Sequence, residues 1–325
     1  MPGSDRPLDR LEYDVVDVFT DRPFAGNQLA VVHGGDELST DQCLAVAREF
    51  GYSETTFPSV TSDGQGRTRE YATRIFTPER EIPFAGHPTL GTAWVLRSRG
   101  LLDADECVQV CGVGRIGVRF DGPAETARVE LSATPRDLVG PLPRDLVRDL
   151  LHLVGLSLSD VVGEGWVAGC GLSFVHLPVT EEAVVRAVPA GRGFGPLVER
   201  LAALGPADDL LDALNVYAVT GGAPPLGVHS RVFVLGAGVG EDAATGSAAA
   251  GLGMALVASG LLPEGGRYDI TQGVEMDRPS RLYARVEVGD RPDVGGRTGA
   301  SHGRASLCHV AGQVQPVATG RIAVP

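Results

Sequence analysis

The sequence contains no lysine, because all 28 residues in the combined lysine and arginine count are arginine. A lysine amine forms Schiff bases with pyridoxal phosphate or carbonyl substrates, and it contacts phosphates in Walker A motifs. These chemistries are therefore excluded, as is lysine as a general base. Proton transfer has to be assigned to other groups.

Positive charge is scarce as well. The formal net charge is -13 at pH 7, and the arginines form no run. A nucleic-acid partner needs a basic face, so we expect none. The five cysteines are an odd number in a long chain, which indicates reduced thiols rather than a disulfide framework and favours a cytoplasmic protein.

Long apolar runs are also missing. Residues 1–10 lack the apolar core of a secretion signal. Residues 243–263 carry no charge, but Ala, Gly and Ser dominate them. A membrane-spanning helix needs about 20 predominantly apolar residues. We therefore expect a buried helix here and no membrane partner.

The length of 325 residues predicts two domains. A proline-rich stretch near residues 135–143 marks the expected boundary. We predict an N-terminal lobe over 11–134, joined by C-terminal strands at about 305–325, and a C-terminal lobe over 135–304. Residues 1–10 and about 290–304 are expected to be flexible. Because strands and helices do not alternate regularly, the fold class is α+β rather than a doubly wound sheet.

Local patterns predict helices and strands along the chain. Capping and apolar spacing predict helices over 40–50, 89–99 and 144–154, and from about 245. Alternation bounded by turn residues predicts strands over 11–19, 28–33, 55–60, 69–76, 107–113, 127–131, 174–177, 215–219 and 232–235. The run Gly112–Gly117 fits G-x-G-x-x-G, but a strand-like segment follows it. It therefore predicts a hairpin rather than a dinucleotide site.

Two segments resemble each other. Residues 87–93 and 242–248 both fit [HD]-x-x-x-G-[ST]-A, and they lie 155 positions apart. They predict two pseudo-equivalent lobes, each with a helix N-terminus at a matching place, where unpaired backbone N–H groups and the helix dipole suit an anion. The alternative is that both segments are merely tightly packed helices.

Several motifs in a fixed order carry a resemblance to a known family. They are Val18-Phe19-Thr20 with Pro23-Phe24-Ala25-Gly26-Asn27, then Gly51-Tyr52-Ser53-Glu54-Thr55, then Ile75-Phe76-Thr77-Pro78 with Ile82-Pro83-Phe84-Ala85-Gly86-His87-Pro88-Thr89-Leu90-Gly91, then Gly240-Glu241-Asp242 with Ala244-Thr245-Gly246-Ser247-Ala248, and finally Gln272-Gly273 with Arg278-Pro279-Ser280. The chain resembles the PhzF-like phenazine-biosynthesis-type isomerases, which are related in structure to diaminopimelate epimerase.

The resemblance implies two pseudo-symmetric lobes, each a curved mixed or antiparallel sheet around a central helix, with the site in the cleft between the lobes. It implies cofactor-free isomerisation of trans-2,3-dihydro-3-hydroxyanthranilate or a similar unsaturated acid, no metal, and a homodimer. The implied catalytic residues are Glu54 as general acid/base, His87, Asp242 and Ser247. The implied substrate-binding residues are Asn27, Gly86, Thr245 and Gly246. At a helix start, His87 is expected to be neutral.

Some features limit the resemblance. Gln28 and Ala243 stand beside the expected pocket where many members have proline, which leaves a different substrate open. The alternative within the enzyme class is a double-bond isomerase of another pathway, such as 4-alkyl-proline precursor biosynthesis. The related epimerases use two cysteines, but Ala85 and Thr245 occupy those positions, so a thiol pair is not expected. A non-catalytic protein that binds small acids is the remaining alternative from another functional class.

Overall fold

The structure is a computed structural model, and it describes residues 10–60, 68–123, 127–189, 193–204, 210–223, 225–235, 240–289 and 304–325. The chain divides into two compact units. The first unit comprises Met1–Phe24, Gln28–Val129 and Gln313–Pro325, and the second comprises Ala25–Asn27 and Glu130–Gly312. Each unit has its own sheet pairings and its own buried helix.

The strands, in chain order, are β1 (Arg10–Val18), β2 (Asn27–Val32), β3 (Glu54–Val60), β4 (Glu70–Phe76), β5 (Glu81–Ile82), β6 (Glu106–Cys111), β7 (Gly114–Asp121), β8 (Arg128–Ala133), β9 (Trp166–Cys170), β10 (Leu172–Pro178), β11 (Leu210–Val219), β12 (Leu226–Val234), β13 (Gly240–Asp242), β14 (Gly266–Gln272), β15 (Ser280–Gly289), β16 (Arg304–Gly312) and β17 (Val314–Ala323). The helices are α1 (Thr40–Phe50), α2 (Gly86–Ser98), α3 (Arg144–His152), α4 (Glu181–Arg186), α5 (Leu197–Ala202) and α6 (Gly246–Ala258).

In the first unit, β2 runs parallel to β3, and β3 pairs antiparallel with β4. Strand β4 pairs antiparallel with β5 and parallel with β6, and β6 forms a hairpin with β7. Strand β17 pairs antiparallel with β1. Helix α2 follows β5 in the chain, and its residues from Gly86 to Leu96 are all buried.

The second unit repeats this order. Strand β10 runs parallel to β11, β11 pairs antiparallel with β12, and β12 pairs antiparallel with β13 and parallel with β14. Strand β14 then pairs antiparallel with β15. Helix α6 follows β13 and is buried from Gly246 to Val257. The predicted α+β fold, with two similar lobes each built around a buried helix, is confirmed.

The predicted alignment of the two repeats was wrong by five positions. Helix α2 begins at Gly86 and α6 begins at Gly246, so the repeats lie 160 positions apart rather than 155. The sequence match had aligned Gly91, in the middle of α2, with Gly246, the first residue of α6. In the structure, the counterpart of His87 is therefore Ser247 and not Asp242.

Helix α2 also begins three residues earlier than the predicted Thr89. The Gly86-His87-Pro88 segment forms its first turn instead of a separate turn before it. Proline is accepted there because the first N–H groups of a helix have no intrahelical partner. Helix α1 matches its prediction, since Ser39 and Gln42 form a capping box and Gly51 ends the helix in the left-handed region.

Other predictions have mixed outcomes. The run Gly112–Gly117 forms the predicted hairpin, since Cys111 pairs with Gly114. The segments 1–10 and 290–304, which the sequence predicts to be flexible, lie outside the described residues except for Arg10 and Arg304. Those two residues begin strands β1 and β16. No helix in the described part of the chain is long and apolar enough to cross a membrane.

Close packing explains the small residues of α6. A Cβ atom at Gly251 would lie 2.8 Å from the carbonyl oxygen of Ala168 and 3.0 Å from Nε2 of His176. Ala168 is held in β9 by its pairing with Phe174, so its carbonyl cannot move without disturbing the sheet. The helix therefore approaches the sheet backbone at a distance that only glycine permits.

Gly251→Ala is expected to cost about 1–3 kcal/mol through overpacking. Helix propensity returns about 1 kcal/mol, so the free energy of unfolding is expected to fall by up to about 2 kcal/mol. Urea unfolding of the two proteins measures the difference. Gly117→Ala is the control, because nothing lies within 4 Å of a Cβ there. A Gly251→Ala protein as stable as the parent would contradict the close approach.

Candidate active site

Glu54 and His87 come together in the first unit. Glu54 is the first residue of β3, and His87 is the second residue of α2. Their Oε2 and Nε2 atoms lie 3.5 Å apart, and their side chains are only 16% and 5% exposed. Two of the predicted catalytic residues are therefore neighbours in a largely buried place.

The contacts of His87 define its protonation. Nε2 lies 3.2 Å from the backbone carbonyl oxygen of Gln28, which can only accept, so Nε2 carries the ring proton. Burial lowers the pKa of His87 to about 3, although the contact with Gln28 opposes this. The imidazole is therefore neutral at neutral pH, as predicted, with burial as the main cause. A proline at position 28 would carry the same carbonyl.

Asp242 is the centre of a second group, which lies in the second unit. It is the last residue of β13. Its Oδ1 accepts a hydrogen bond of 2.8 Å from Nδ2 of Asn27, and its Oδ2 accepts one of 2.6 Å from the hydroxyl of Thr245. Asn27 Nδ2 also donates to the Ala244 carbonyl at 2.9 Å. Two predicted substrate-binding residues therefore bind the carboxylate of a predicted catalytic one.

The environment of Asp242 makes it easier to protonate than an ordinary aspartate. Burial raises the pKa of Asp242 to about 6, while the hydrogen bonds from Thr245 and Asn27 lower it in part. A carboxyl group with a pKa near neutrality can either hold or release a proton under physiological conditions. Such perturbed groups are common at functional sites.

The starts of the two buried helices lack side-chain caps. The N-cap residues are Ala85 for α2 and Thr245 for α6, and neither side chain makes a capping bond. The Thr245 hydroxyl donates to Asp242 instead. The first N–H groups of a helix have no intrahelical partner, and they form the positive end of its dipole. The predicted residues Gly86, Gly246 and Ser247 are all buried at these two starts.

The two units do not duplicate their acidic groups. The β5 residue in the place of Asp242, four positions before the helix, is Ile82. Following the strand pairings from β13 through β12 to β11, the counterpart of Glu54 is Ala213. Each unit therefore has a carboxylate where the other has an apolar residue. Ala85 and Thr245 do correspond, as the N-caps of α2 and α6.

Sequence reasoning assigned no role to two residues of the closing motif that the structure connects to this group. Gln272, at the end of β14, donates to the Asp242 carbonyl and to Thr245. Arg278 donates to the carbonyls of Ala25 and Gly26, directly before Asn27 in the chain, with both distances 2.8 Å. Their presence in a specific motif was the only signal for them in the sequence.

Three buried groups make the stability depend on pH. Burial lowers the pKa of His176 on β10 to about 4, as it lowers that of His87 to about 3. Between pH 6.5 and 4.5 the unfolded chain protonates both histidines while the folded protein does not, so stability falls as the pH falls. Asp242, with its raised pKa, opposes this in part, since its ionised form is destabilising.

The net expectation from these groups is a loss of about 3 kcal/mol from pH 6.5 to pH 4.5, at about 1.4 kcal/mol per pH unit for each titrating group. Urea unfolding curves recorded at intervals over this range measure it. A free energy of unfolding that stayed constant or rose towards pH 4.5 would show that the histidines are not buried in the neutral form.

Comparison with known proteins identifies the family. A family model described as phenazine biosynthesis-like protein, PhzC-PhzF, matches residues 16–305. The chain belongs to this family. One relative within the phenazine biosynthesis-like family is the trans-2,3-dihydro-3-hydroxyanthranilate isomerase of Pseudomonas aeruginosa. It is 35% identical over 305 residues, which cover 91% of this chain and 99% of the relative.

Solved structures agree with this assignment. A phenazine biosynthesis protein of the PhzF family from Bacillus anthracis superposes with a TM-score of 0.78 at 20% identity, covering 97% of this chain and all of that one. A predicted epimerase from Pseudomonas aeruginosa gives a TM-score of 0.75 at 28% identity, covering 96% of this chain and 99% of that one. The fold is that of the phenazine biosynthesis-like family.

The chain is an isomerase of the phenazine biosynthesis-like family. Among the residues that the structure describes, no group of three or more His, Cys, Asp and Glu side chains is arranged to hold a metal ion. The predicted catalytic residues that can transfer a proton are the carboxyls of Glu54 and Asp242 and the imidazole of His87. A third carboxyl in these motifs, Glu241, is paired with Arg231.

Proposed function

We propose that this isomerase moves a proton, and with it a double bond, within a small unsaturated cyclic amino or hydroxy acid, without a cofactor, and that Glu54 carries the proton. The proposed substrate is trans-2,3-dihydro-3-hydroxyanthranilate or a close analogue. The name of the Pseudomonas aeruginosa relative supports this substrate class. Secondary-metabolite biosynthesis is the corresponding setting.

The observation that carries the proposal is the contact of Glu54 with a neutral histidine. A residue that removes a proton from carbon must be basic at working pH. Because burial lowers the pKa of His87 to about 3, its imidazole is a weak base at neutral pH, and the proposal does not assign the proton to it. Of the two carboxyls, Asp242 accepts hydrogen bonds at both oxygens from Asn27 and Thr245. Glu54, 3.5 Å from His87, is therefore assigned the proton.

The proposed reaction conserves all atoms and electrons. Ionised Glu54 removes a proton from one ring carbon, so a C–H bond breaks, an O–H bond forms, and the electron pair enters the conjugated system. The carboxyl group exchanges its proton with water and then delivers a proton to another carbon of the same system. The new C–H bond forms as the O–H bond breaks, the double bond has moved, and Glu54 is ionised again.

The remaining predicted residues assist this step in the proposal. The imidazole of His87 lies against the Glu54 carboxylate, with Nε2 3.5 Å from Oε2, while its Nε2–H donates to the Gln28 carbonyl, so the ring limits the positions that the carboxylate can take. Asp242 and Ser247 assist proton movement or bind polar groups of the substrate. The helix starts at Gly86 and Gly246 supply backbone N–H groups that suit a carboxylate-bearing substrate. Asn27 and Thr245 act by holding Asp242.

The test is turnover in heavy water. Desalted protein, with a chelator added, is incubated with trans-2,3-dihydro-3-hydroxyanthranilate, and proton NMR follows both product formation and deuterium in the product. We expect conversion without added cofactor, with deuterium at the carbon that receives the proton. Unsaturated cyclic precursors of 4-alkyl-prolines form a second arm. Binding of these compounds without exchange or conversion in either arm would overturn the proposed substrate class.

A further inference from the structure

Gln272 contacts the Asp242 group through both ends of its amide. Its Oε1 accepts from the backbone N–H of Thr245 at 3.2 Å. Its Nε2 donates to the backbone carbonyl of Asp242 at 2.8 Å and to the hydroxyl oxygen of Thr245 at 3.0 Å. The residue is 2% exposed. Every polar atom of this side chain is therefore committed to Thr245 or Asp242.

Two backbone groups define the orientation of this amide. The N–H of Thr245 can only donate, so the atom facing it is the amide oxygen. The carbonyl of Asp242 can only accept, so the atom facing it is the amide nitrogen. The second amide proton then points at the Thr245 hydroxyl oxygen. The orientation thus follows from fixed backbone chemistry.

The direction of the Thr245 hydroxyl follows in turn. Its oxygen accepts from Gln272, so its own proton is directed to Oδ2 of Asp242, 2.6 Å away. Asn27 donates to the other oxygen of the same carboxylate. Both oxygens of Asp242 therefore receive a proton donor, an arrangement that favours the ionised carboxylate.

We propose that Gln272 is a positioning residue, which directs the Thr245 hydroxyl proton onto Asp242 and so keeps that carboxylate a hydrogen-bond acceptor. The assignment rests on the proposed function where it gives Asp242 a part in turnover. The direction of the hydrogen bonds does not depend on that function.

Charged groups near Asp242 in this unit come from several elements. On β13, Glu241 is paired with Arg231 of β12 at 2.8 and 2.7 Å. Glu275, after β14, lies 3.8 Å from Arg231 and 3.1 Å from His229 of β12. Arg278, before β15, bonds the carbonyls next to Asn27. Variants at positions 245 and 272 leave these charged groups unchanged. Their contributions to the pKa of Asp242 therefore cancel when such variants are compared.

Two substitutions of Gln272 distinguish a role in directing the Thr245 hydroxyl from a role that only stabilises the local structure. Gln272→Glu keeps the shape but, when ionised, offers only acceptors, so the Thr245 hydroxyl turns to it and leaves Asp242. Gln272→Met removes every polar contact but leaves the hydroxyl free to donate to Asp242. The new carboxylate of Gln272→Glu also repels the charge of Asp242 directly, which raises the pKa of Asp242 in any case. The Thr245→Val background separates this repulsion from the effect of the hydroxyl direction.

The measurement is the titration midpoint of the Asp242 carboxyl, followed by carbon-13 NMR without substrate and assigned with Asp242→Asn. We expect Gln272→Glu to raise the midpoint by at least one pH unit and Gln272→Met to raise it by less. Thr245→Val, which lacks the hydroxyl, raises it too, and Thr245→Ser restores the original value. In the Thr245→Val background, we expect a smaller difference between the Asp242 midpoints of the Gln272→Glu and Gln272→Met proteins.

Kinetics supply the second readout. We expect Gln272→Glu to lower kcat at least tenfold with little change in KM, and Gln272→Met to lower it less. The positioning role would be overturned if Gln272→Glu and Gln272→Met had the same Asp242 titration midpoint. It would also be overturned if the difference between their midpoints stayed the same in the Thr245→Val background. If Gln272→Glu does not fold, double variants that combine Gln272→Met with a Thr245 substitution test the proposal. A positioning role requires that the shift of the Asp242 midpoint in the double variant differ from the sum of the shifts in the single variants. If the Asp242 midpoint shifts as expected but the protein converts neither substrate, the proposed function is wrong and the hydrogen-bond assignment still holds.

Discussion

Glu54→Gln is expected to lower kcat at least a thousandfold while leaving KM nearly unchanged. General acid–base catalysis typically contributes a factor of 10²–10⁴, and glutamine has neither a basic oxygen nor a transferable proton. The change is isosteric, so the contact with His87 and the course of β3 are retained. A loss in kcat alone indicates an interaction made in the transition state rather than in substrate binding.

Deuterium incorporation from heavy water measures the same step directly, and it should fall in parallel with kcat. Glu49→Gln is the matched control, because Glu49 is exposed on α1 only five positions earlier. Its kcat should equal that of the parent. If Glu54→Gln retained more than a tenth of the parental exchange rate, Glu54 would not be the group that carries the proton.

The elements that sequence predicts best are those with signals in adjacent residues. Helix α1 has its capping box at Ser39 and its left-handed glycine at Gly51, and both ends match the prediction. Strand β12 begins at Leu226 instead of the predicted Val232, because its first residues are defined by pairing with β11 and β14. A single sequence does not contain those partners in any local form.

The site shows the same limit. Motif resemblance named Glu54, His87 and Asp242 as candidates, but it predicted no contacts between residues distant in the chain. Asn27 and Asp242 are 215 positions apart, and Gln272 contacts Thr245 from β14, a strand that the sequence did not predict. The repeat itself was recognisable, yet its register was not, because glycines recur along both helices and permit two alignments.

Asp242→Asn is expected to make the folded protein more stable at neutral pH and less active. Burial raises the pKa of Asp242 to about 6 from a usual 3.8, so its ionised form destabilises the folded state. The folded protein binds this proton more tightly than the unfolded chain does, so the loss of stability develops from about pH 3.8 to 6 and is complete above that. Asparagine has no charge to bury, and its amide oxygen can still accept from Asn27.

The expected gain in the free energy of unfolding at pH 7.5 is about 1–3 kcal/mol, because a difference of one pKa unit corresponds to about 1.4 kcal/mol. It should disappear near pH 4, where the parental carboxyl is protonated as well. Asp121→Asn, at an exposed position, is the control for the loss of one negative charge. In the same preparation kcat/KM should fall at least tenfold. The ionised Asp242 destabilises the folded protein, and a residue retained despite such a loss of stability is expected to contribute to the reaction. A variant that is less stable than the parent at pH 7.5 would show that the hydrogen bonds from Asn27 and Thr245 outweigh the burial of the charge.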